Sequence, residues 1–250
     1  MMNDNYQYSP RKFDTLPPVC KNIIIINIIV FIACWVLETR GIVRLEHYLG
    51  LHLYASSCHH FWQYITYAFV HANLAHLLFN MFAFWMFGAT LENIWGSRKF
   101  IIYCLIAALG AAIVQQITYF FIYGDLIAEI AKINSSNVSL INTGKEIISK
   151  SAYLEQATNM VDSINTVGAS GIVFGVLLAF GLMFPNNFIY LYFLLPIKVK
   201  WFVIGYVALE LWHGITGTAD GIAHFAHLGG ALAGFILILI WNKGTIRRFY

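Results

Sequence analysis

Long apolar runs alternate with short polar segments along most of the chain, and this pattern predicts helices that cross a membrane. A window about 20 residues wide finds six apolar blocks, at 22–37, 74–95, 100–123, 170–184, 201–215 and 222–241. Lipid offers the backbone no hydrogen-bond partner, so each block is expected to be an α-helix. The predicted fold class is therefore an all-α membrane protein built as a bundle of six transmembrane helices.

The composition agrees with this interpretation and excludes several classes of protein. Hydrophobic residues make up 59% of the chain and charged residues only 11%, which is too little polar surface for a soluble domain of this length. The net charge of +3 is small, and no basic face is available for a nucleic acid. The four cysteines are scattered without a C-x-x-C pair, so we expect no disulfide framework.

The distribution of lysine and arginine predicts the orientation in the membrane. With the amino terminus in the cytoplasm, ten of the fifteen Lys and Arg residues fall on the inside. We therefore predict one six-span domain, 22–241, between a cytoplasmic amino-terminal tail, 1–21, and a cytoplasmic carboxy-terminal tail, 242–250. The tail before the first block does not resemble a cleaved signal peptide. A bacterial cytoplasmic membrane is the simplest setting.

Two of the predicted external connections are long. The first, 38–73, is rich in apolar and aromatic residues, so we expect it to be embedded in the membrane interface rather than exposed. The second, 124–167, is polar with periodic Ile and Leu and predicts short surface helices. The sequence assigns no function to this insertion.

The fourth block is too short for an ordinary span. From Ser170 to the turn at Pro185 it has 15 residues, about 22 Å of helix against a hydrocarbon core of about 30 Å. A helix that ends at the inner face must then begin below the outer face. Ser170 is therefore predicted to lie within the thickness of the membrane, at the floor of a cavity.

Small residues predict which helices approach each other. Gly171 and Gly175 give the fourth block a small face, and Gly230 and Gly234 share a stripe of the sixth block with His227. Pairing these two faces would bring Ser170 and His227 together at similar depth.

The second block adds His76 and Asn80, which are four residues apart and share a helix face. Taken singly, an intramembrane His or Asn usually serves as a hydrogen bond between helices, and a Ser at a helix start usually serves as a cap. Taken together, a deep serine, a histidine on a closely packed helix and a His/Asn pair are the parts needed for acyl transfer.

In combination these motifs resemble those of the rhomboid intramembrane serine proteases. They are H-x-x-x-x-H-x-x-x-N at His71, His76 and Asn80, G-x-S-G from Gly168 to Gly171, and A-H-x-x-G-x-x-x-G from Ala226 to Gly234. The resemblance implies Ser170 as nucleophile and His227 as base. It also implies an oxyanion hole of His76, Asn80 and the Ser170 backbone N–H.

The same resemblance implies supporting roles and two departures. Phe174 stands one turn after Ser170, where relatives often have Tyr, and is expected to stack on His227 without contributing a hydroxyl. Glu92 matches a glutamate expected to brace a loop by hydrogen bonds. Gln63 follows Trp62 where many relatives have Arg, and can still hydrogen-bond loop carbonyls.

The resemblance also implies that this serine–histidine dyad requires no acid. We expect no buried carboxylate beside it, because Glu210 lies near the outer end of the fifth block, where it could reach water. His59 and His60 with His224 and His227 do not make a metal site, since no carboxylate or thiol completes the set. We expect no metal and no cofactor.

The predicted function is an intramembrane serine endopeptidase. Its partners would be the lipid bilayer and a membrane-protein substrate whose transmembrane segment contains small or helix-breaking residues near the cut, since these make unwinding easier. An alternative is a catalytically silent rhomboid-like protein that binds membrane clients, although such relatives typically lose the serine or the histidine. A third possibility, a small transporter or channel, lacks paired inverted spans.

Overall fold

The computed structural model describes residues 13–144, 147–191, 194–217 and 223–242, and most of these are helical. The helices are α1 Pro18–Thr39, α2 Leu45–Leu49, α3 Gln63–Thr66, α4 Leu74–Trp95, α5 Ser97–Ser135, α6 Lys150–Ser163, α7 Ser170–Met183, α8 Val199–Thr216 and α9 His224–Asn242. The strands are β1 Leu51–His52, β2 Leu140–Asn142, β3 Ile147–Ser149, β4 Asn165–Thr166, β5 Phe188–Leu191 and β6 Leu195–Lys198. Most of the two predicted tails, 1–21 and 242–250, lies outside the described residues.

Four of the described helices, α1, α4, α5 and α9, are long and apolar enough to cross a membrane. α7 is a shorter apolar helix of 14 residues, and α8 has 18 residues that include Lys200 and Glu210. Large apolar side chains such as Phe79 of α4 and Trp212 of α8 are exposed on the outside of the helices. Such a surface suits contact with lipid, and the chain is an integral membrane protein.

The short helix α7 lies at the centre of the bundle, packed against α4, α5, α8 and α9. Nine of its residues are buried. The predicted pairing of glycine faces is confirmed, because a methyl group on Gly175 would lie 3.1 Å from the carbonyl oxygen of Gly230. A methyl on Gly230 would overlap the carbonyl oxygen of Gly171. Helices α7 and α9 can therefore touch only because these positions carry no side chain.

Helix α5 is much longer than predicted. The predicted span ended at residue 123, but the helix continues to Ser135 and has 39 residues, about 58 Å of helix. The prediction failed because the polar residues after 123 were interpreted as a separate connection with short surface helices of its own. In the structure Ile127 and Ile130 continue an apolar stripe that packs against Leu53 and Val161, so the helix extends beyond the membrane with one face covered.

The insertion 124–167 folds back onto the connection 38–73. Strand β1 in that loop pairs antiparallel with β4, immediately before α7, in the register Leu51 to Thr166 and His52 to Asn165. Strands β2 and β3 form a hairpin, and α6 follows it. The insertion therefore fixes the loop that precedes α4, whose Tyr67 carbonyl accepts from the Gly168 backbone N–H beside Ser170.

Asp162 of α6 forms a further polar link between the insertion and the loop. Its carboxylate accepts hydrogen bonds from the Ser56 hydroxyl at 2.7 Å, the Ser57 hydroxyl at 2.7 Å and the Ser57 backbone N–H at 2.9 Å. Burial alone would raise the pKa of Asp162, but these hydrogen bonds favour the ionised form and hold the pKa below its ordinary value.

Candidate active site

Ser170 is the first residue of α7, and its side chain does not cap the helix. The N-cap position is Ala169, and no side-chain cap hydrogen bond is formed there. The preceding Gly168 has a φ of +127°, a conformation that favours glycine. Its backbone N–H donates to the carbonyl oxygen of Tyr67 at 2.9 Å. The hydroxyl of Ser170 is thus free for another partner, at a helix terminus whose first N–H groups lack helical acceptors.

That partner is His227 of α9. Its Nε2 atom lies 2.8 Å from the Ser170 Oγ atom, a hydrogen-bond distance. The close contact of α7 and α9 through Gly171, Gly175 and Gly230 places the two side chains together. Gly234 has a different neighbour from the one predicted, since a methyl there would overlap the hydroxyl of Tyr103 in α5.

An aromatic stack holds the imidazole ring of His227. The ring of Phe174 lies parallel to it, with centroids 4.4 Å apart and an interplanar angle of 6°. Tyr206 of α8 stacks on the opposite side of Phe174, with centroids 4.8 Å apart. The phenyl ring is therefore fixed from both sides and restricts the orientation of the histidine.

A buried carboxylate also touches His227, contrary to the expectation from the sequence. Glu210 of α8 is only 7% exposed, and its Oε2 atom lies 2.9 Å from His227 Nδ1 and 2.8 Å from His224 Nδ1. The expectation that Glu210 would reach water was wrong because α8 turns this side chain toward α9. A carboxylate at this depth is stabilised only by such donors.

Helix α4 supplies the other predicted polar groups. Asn73 caps the helix by accepting from the His76 backbone N–H at 2.8 Å. A methyl on Gly168 would lie 2.9 Å from His76 Nε2 and 3.6 Å from Ser170 Oγ, so both side chains border the same space. The Asn80 Nδ2 atom is buried and has no hydrogen-bond partner among the described residues.

His71 and Glu92 occupy supporting positions. The ring of His71 packs edge-on against that of His76, with centroids 5.0 Å apart. Glu92 accepts from the backbone N–H groups of Val19 and Cys20 at 2.9 and 2.8 Å, and from the Ser97 hydroxyl. These contacts tie α1 to the α4–α5 turn and leave Glu92 outside the Ser170 site.

The polar side chains of the connection 38–73 serve its structure. Gln63 is fully buried and donates to the carbonyl oxygens of Cys58 at 2.8 Å and Tyr48 at 3.3 Å, as predicted. Gln116 of α5 holds the same loop by accepting from the Tyr54 N–H and donating to the His52 carbonyl.

One cluster among the described residues has the composition of a metal site. The ligand atoms of Glu210, His224 and His227 all lie within 4.8 Å of one another. A carboxylate therefore does join His224 and His227 in a group of potential metal ligands, contrary to the sequence analysis. The N–O distances of 2.8 and 2.9 Å are those of hydrogen bonds. Donors that share a tetrahedral zinc ion at about 2.0–2.1 Å would lie about 3.3 Å apart.

The sequence missed two residues of the site. Glu210 was recognisable as an ionisable residue inside an apolar block, which is itself a sign of function. Tyr206 had no distinguishing signal, because an aromatic residue in a membrane helix is common.

Comparison with known families gives the chain its classification. A family model described as the Rhomboid domain matches residues 58–243. The chain belongs to the rhomboid family. Members of this family are intramembrane proteases that act on membrane-protein substrates within the bilayer, although some are catalytically inactive. The match contains the residues of the Ser170 site and begins after α1 and α2.

Proposed function

We propose that this rhomboid protein is an active intramembrane serine endopeptidase that uses Ser170 as nucleophile and His227 as general base. The observation that carries the proposal is the 2.8 Å contact between Ser170 Oγ and His227 Nε2. A serine hydroxyl is a weak nucleophile unless a base removes its proton, and this distance allows that transfer. A silent relative would have no need of the contact.

The chemistry follows the two steps of serine acyl transfer. Ser170 Oγ attacks the scissile carbonyl carbon while its proton passes to His227, and the tetrahedral intermediate carries a negative oxygen. His227 then protonates the leaving amine as the C–N bond breaks. A water molecule, deprotonated by His227, attacks the acyl-serine ester and releases the carboxylate product.

Three donors are assigned to the oxyanion. The ring of His76 borders the space beside Ser170 Oγ, and the backbone N–H of Ser170 belongs to the first turn of α7, where helical acceptors are lacking. The Nδ2 atom of Asn80, one turn after His76 on α4, is buried and has no partner among the described residues. A buried donor without a partner is costly in a resting protein. Asn80 therefore fits a role in which its partner, the oxyanion, forms only during the reaction.

The topology and the entry of substrate are part of the proposal. We assign six membrane spans, including α7 and α8, with both termini in the cytoplasm. Such an arrangement suits the inner membrane of a bacterium. A substrate helix would enter from the lipid beside α8. The external cap 216–221 would then open above Ser170; residues 218–222 lie outside the described part of the chain. Tags at each terminus, tested for protease protection in sealed vesicles, check the orientation.

Cleavage in proteoliposomes tests the activity. The purified protein is reconstituted with a single-span substrate that carries a Gly-Pro pair near the outer end of its span, or with a matched substrate that carries Leu-Leu there. We expect two fragments from the first substrate, much less cleavage of the second, and none with Ser170→Ala or His227→Ala. Binding of both substrates without any cleavage by folded native protein would support a silent client-binding protein.

A further inference from the structure

The carboxylate of Glu210 lies inside the bundle, between α8 and α9. It belongs to α8, is buried, and reaches across to α9, where two imidazole Nδ1 atoms lie within 2.9 Å of its Oε2 atom. Removing a carboxylate from water is costly, and several kcal/mol per ion is a reasonable scale. A hydrophobic residue would fill the same place without that cost, so the sequence retains a charge that packing does not require.

We propose that Glu210 is a positioning residue for the Ser170–His227 pair, so that the three side chains form a serine–histidine–glutamate triad. The inference rests on the proposed protease function and deepens it. An ionised carboxylate can only accept hydrogen bonds. Its contact with Nδ1 therefore places the proton of neutral His227 on Nδ1 and leaves the Nε2 lone pair directed at the Ser170 hydroxyl.

The carboxylate has a second effect when the reaction begins. As the Ser170 proton moves to Nε2, the His227 ring becomes an imidazolium, and the negative charge of Glu210 lies 2.9 Å from its Nδ1–H. Because this region is shielded from water, the attraction is stronger than it would be at a surface. The proton of Nδ1 stays on the histidine throughout, so Glu210 acts through His227 and touches no reacting atom.

His224 and the aromatic stack complete the arrangement. The Nδ1 atom of His224 shares the same Glu210 oxygen at 2.8 Å, and the ring of His213 stacks on that of His224 with centroids 5.3 Å apart. Two donors on one oxygen hold it in place. Phe174 covers the face of the His227 ring, so packing restrains the plane of the imidazole while Glu210 determines its tautomer.

Glu210→Gln tests the proposal, since it keeps the size of the side chain and removes its charge. The exposed Glu155→Gln in α6 is the matched control. Each purified protein is reacted with a fluorophosphonate at several probe concentrations. The dependence of the rate on concentration gives two separate quantities, the maximal rate of inactivation and the affinity for the probe. We expect Glu210→Gln to lower the maximal rate roughly a hundredfold or more. The affinity should change less than about twofold, and Glu155→Gln should match the native protein.

Two further readouts separate positioning from a structural role. The groups that face His227 are Glu210, His224, His76 and the Ser170 hydroxyl. Glu210→Gln removes the charge of the first of these, so the pH profile of inactivation should be displaced. A merely structural role would lower the melting temperature and leave the profile in place. Glu210→Asp keeps the negative charge but moves it away from His227 Nδ1, so its rate of inactivation should lie between those of the native protein and Glu210→Gln. If Glu210→Gln does not fold, Glu210→Asp tests the proposal in its place.

The outcomes are distinct. A folded Glu210→Gln or Glu210→Asp protein that reacts at the native rate with the native pH profile overturns the proposal while the protease remains. A native protein that does not react overturns the protease and this inference with it. A third outcome is that EDTA raises the inactivation rate of the native protein and Zn²⁺ lowers it, with no effect of either on Glu210→Gln. That result would make Glu210, His224 and His227 a metal site, and the positioning role would be wrong.

Discussion

The contact between α7 and α9 predicts a graded effect of single methyl groups on the reactivity of Ser170. Ser170 directly precedes Gly171, and His227 lies three residues before Gly230, so parting these helices lengthens the 2.8 Å contact. Three glycine-to-alanine substitutions sample the effect. Gly205 in α8 has open space around it, Gly175 meets close neighbours, and Gly230 meets the backbone of α7.

The expected magnitudes follow from the structure. A methyl on Gly175 would lie 3.1 Å from the Gly230 oxygen and 3.0 Å from Ala107 Cβ, short of the ordinary contact distance of 3.4 Å by about 0.3 and 0.4 Å. A methyl on Gly230 would overlap the Gly171 carbonyl, so the helices would part by about 1 Å, a displacement worth roughly a hundredfold in rate. Overpacking would also cost about 1–3 kcal/mol of stability.

The assay is the second-order rate of fluorophosphonate labelling, with thermal melting to show that each variant is folded. We expect Gly205→Ala to label within about twofold of native, Gly175→Ala to lose several-fold, and Gly230→Ala to lose about a hundredfold. A folded Gly230→Ala protein that labels as fast as Gly205→Ala would refute the account of how the two helices place the site.

Three further predictions concern individual side chains. Asn80→Leu should lower the cleavage rate roughly a hundredfold to a thousandfold, because the oxyanion loses a donor, with little change in binding of a single-span substrate in the proteoliposome assay. Phe174→Leu should lower the labelling rate about fivefold, since a stacked ring worth about 1 kcal/mol no longer orients the base, whereas Phe174→Tyr should stay near native. The pKa of Asp162 is lower in the folded protein than its ordinary value. The ionised carboxylate therefore stabilises the fold at pH values above the ordinary pKa, and this stabilisation is lost as the pH falls through the folded pKa. The melting temperature of native protein should therefore exceed that of Asp162→Asn at about pH 7, and the difference should vanish in strongly acidic buffer; a difference that persists there would contradict this.

Much of the helical framework was predictable because local patterns determine it. The span 74–95 has the predicted bounds, since Asn73 caps its start and Gly96, with a φ of +78°, follows its end. The meeting of Ser170 and His227 also followed from the sequence, because small residues at four-residue spacing indicate where two helices can approach.

Other features depend on packing that no local pattern contains. The rotation of α8 directs Glu210 toward α9. That rotation is fixed partly by Gly214, where a methyl would lie 3.0 Å from the ring of Phe225. The continuation of α5 to Ser135 depends on partners in α6, which lie far along the chain. The segment after residue 123 was therefore interpreted as a separate connection with short surface helices, and a buried acid was interpreted as a residue exposed to water.

The central claim is that Ser170 is an activated nucleophile, and mapping the site of fluorophosphonate attachment tests it most directly. Native protein, Ser170→Ala and His227→Ala are treated in detergent, digested and analysed by mass spectrometry. The account predicts one phosphonylated peptide, modified at Ser170, that is absent from Ser170→Ala and nearly absent from His227→Ala. Folded native protein with no adduct at Ser170, or an equal adduct in His227→Ala, would contradict it.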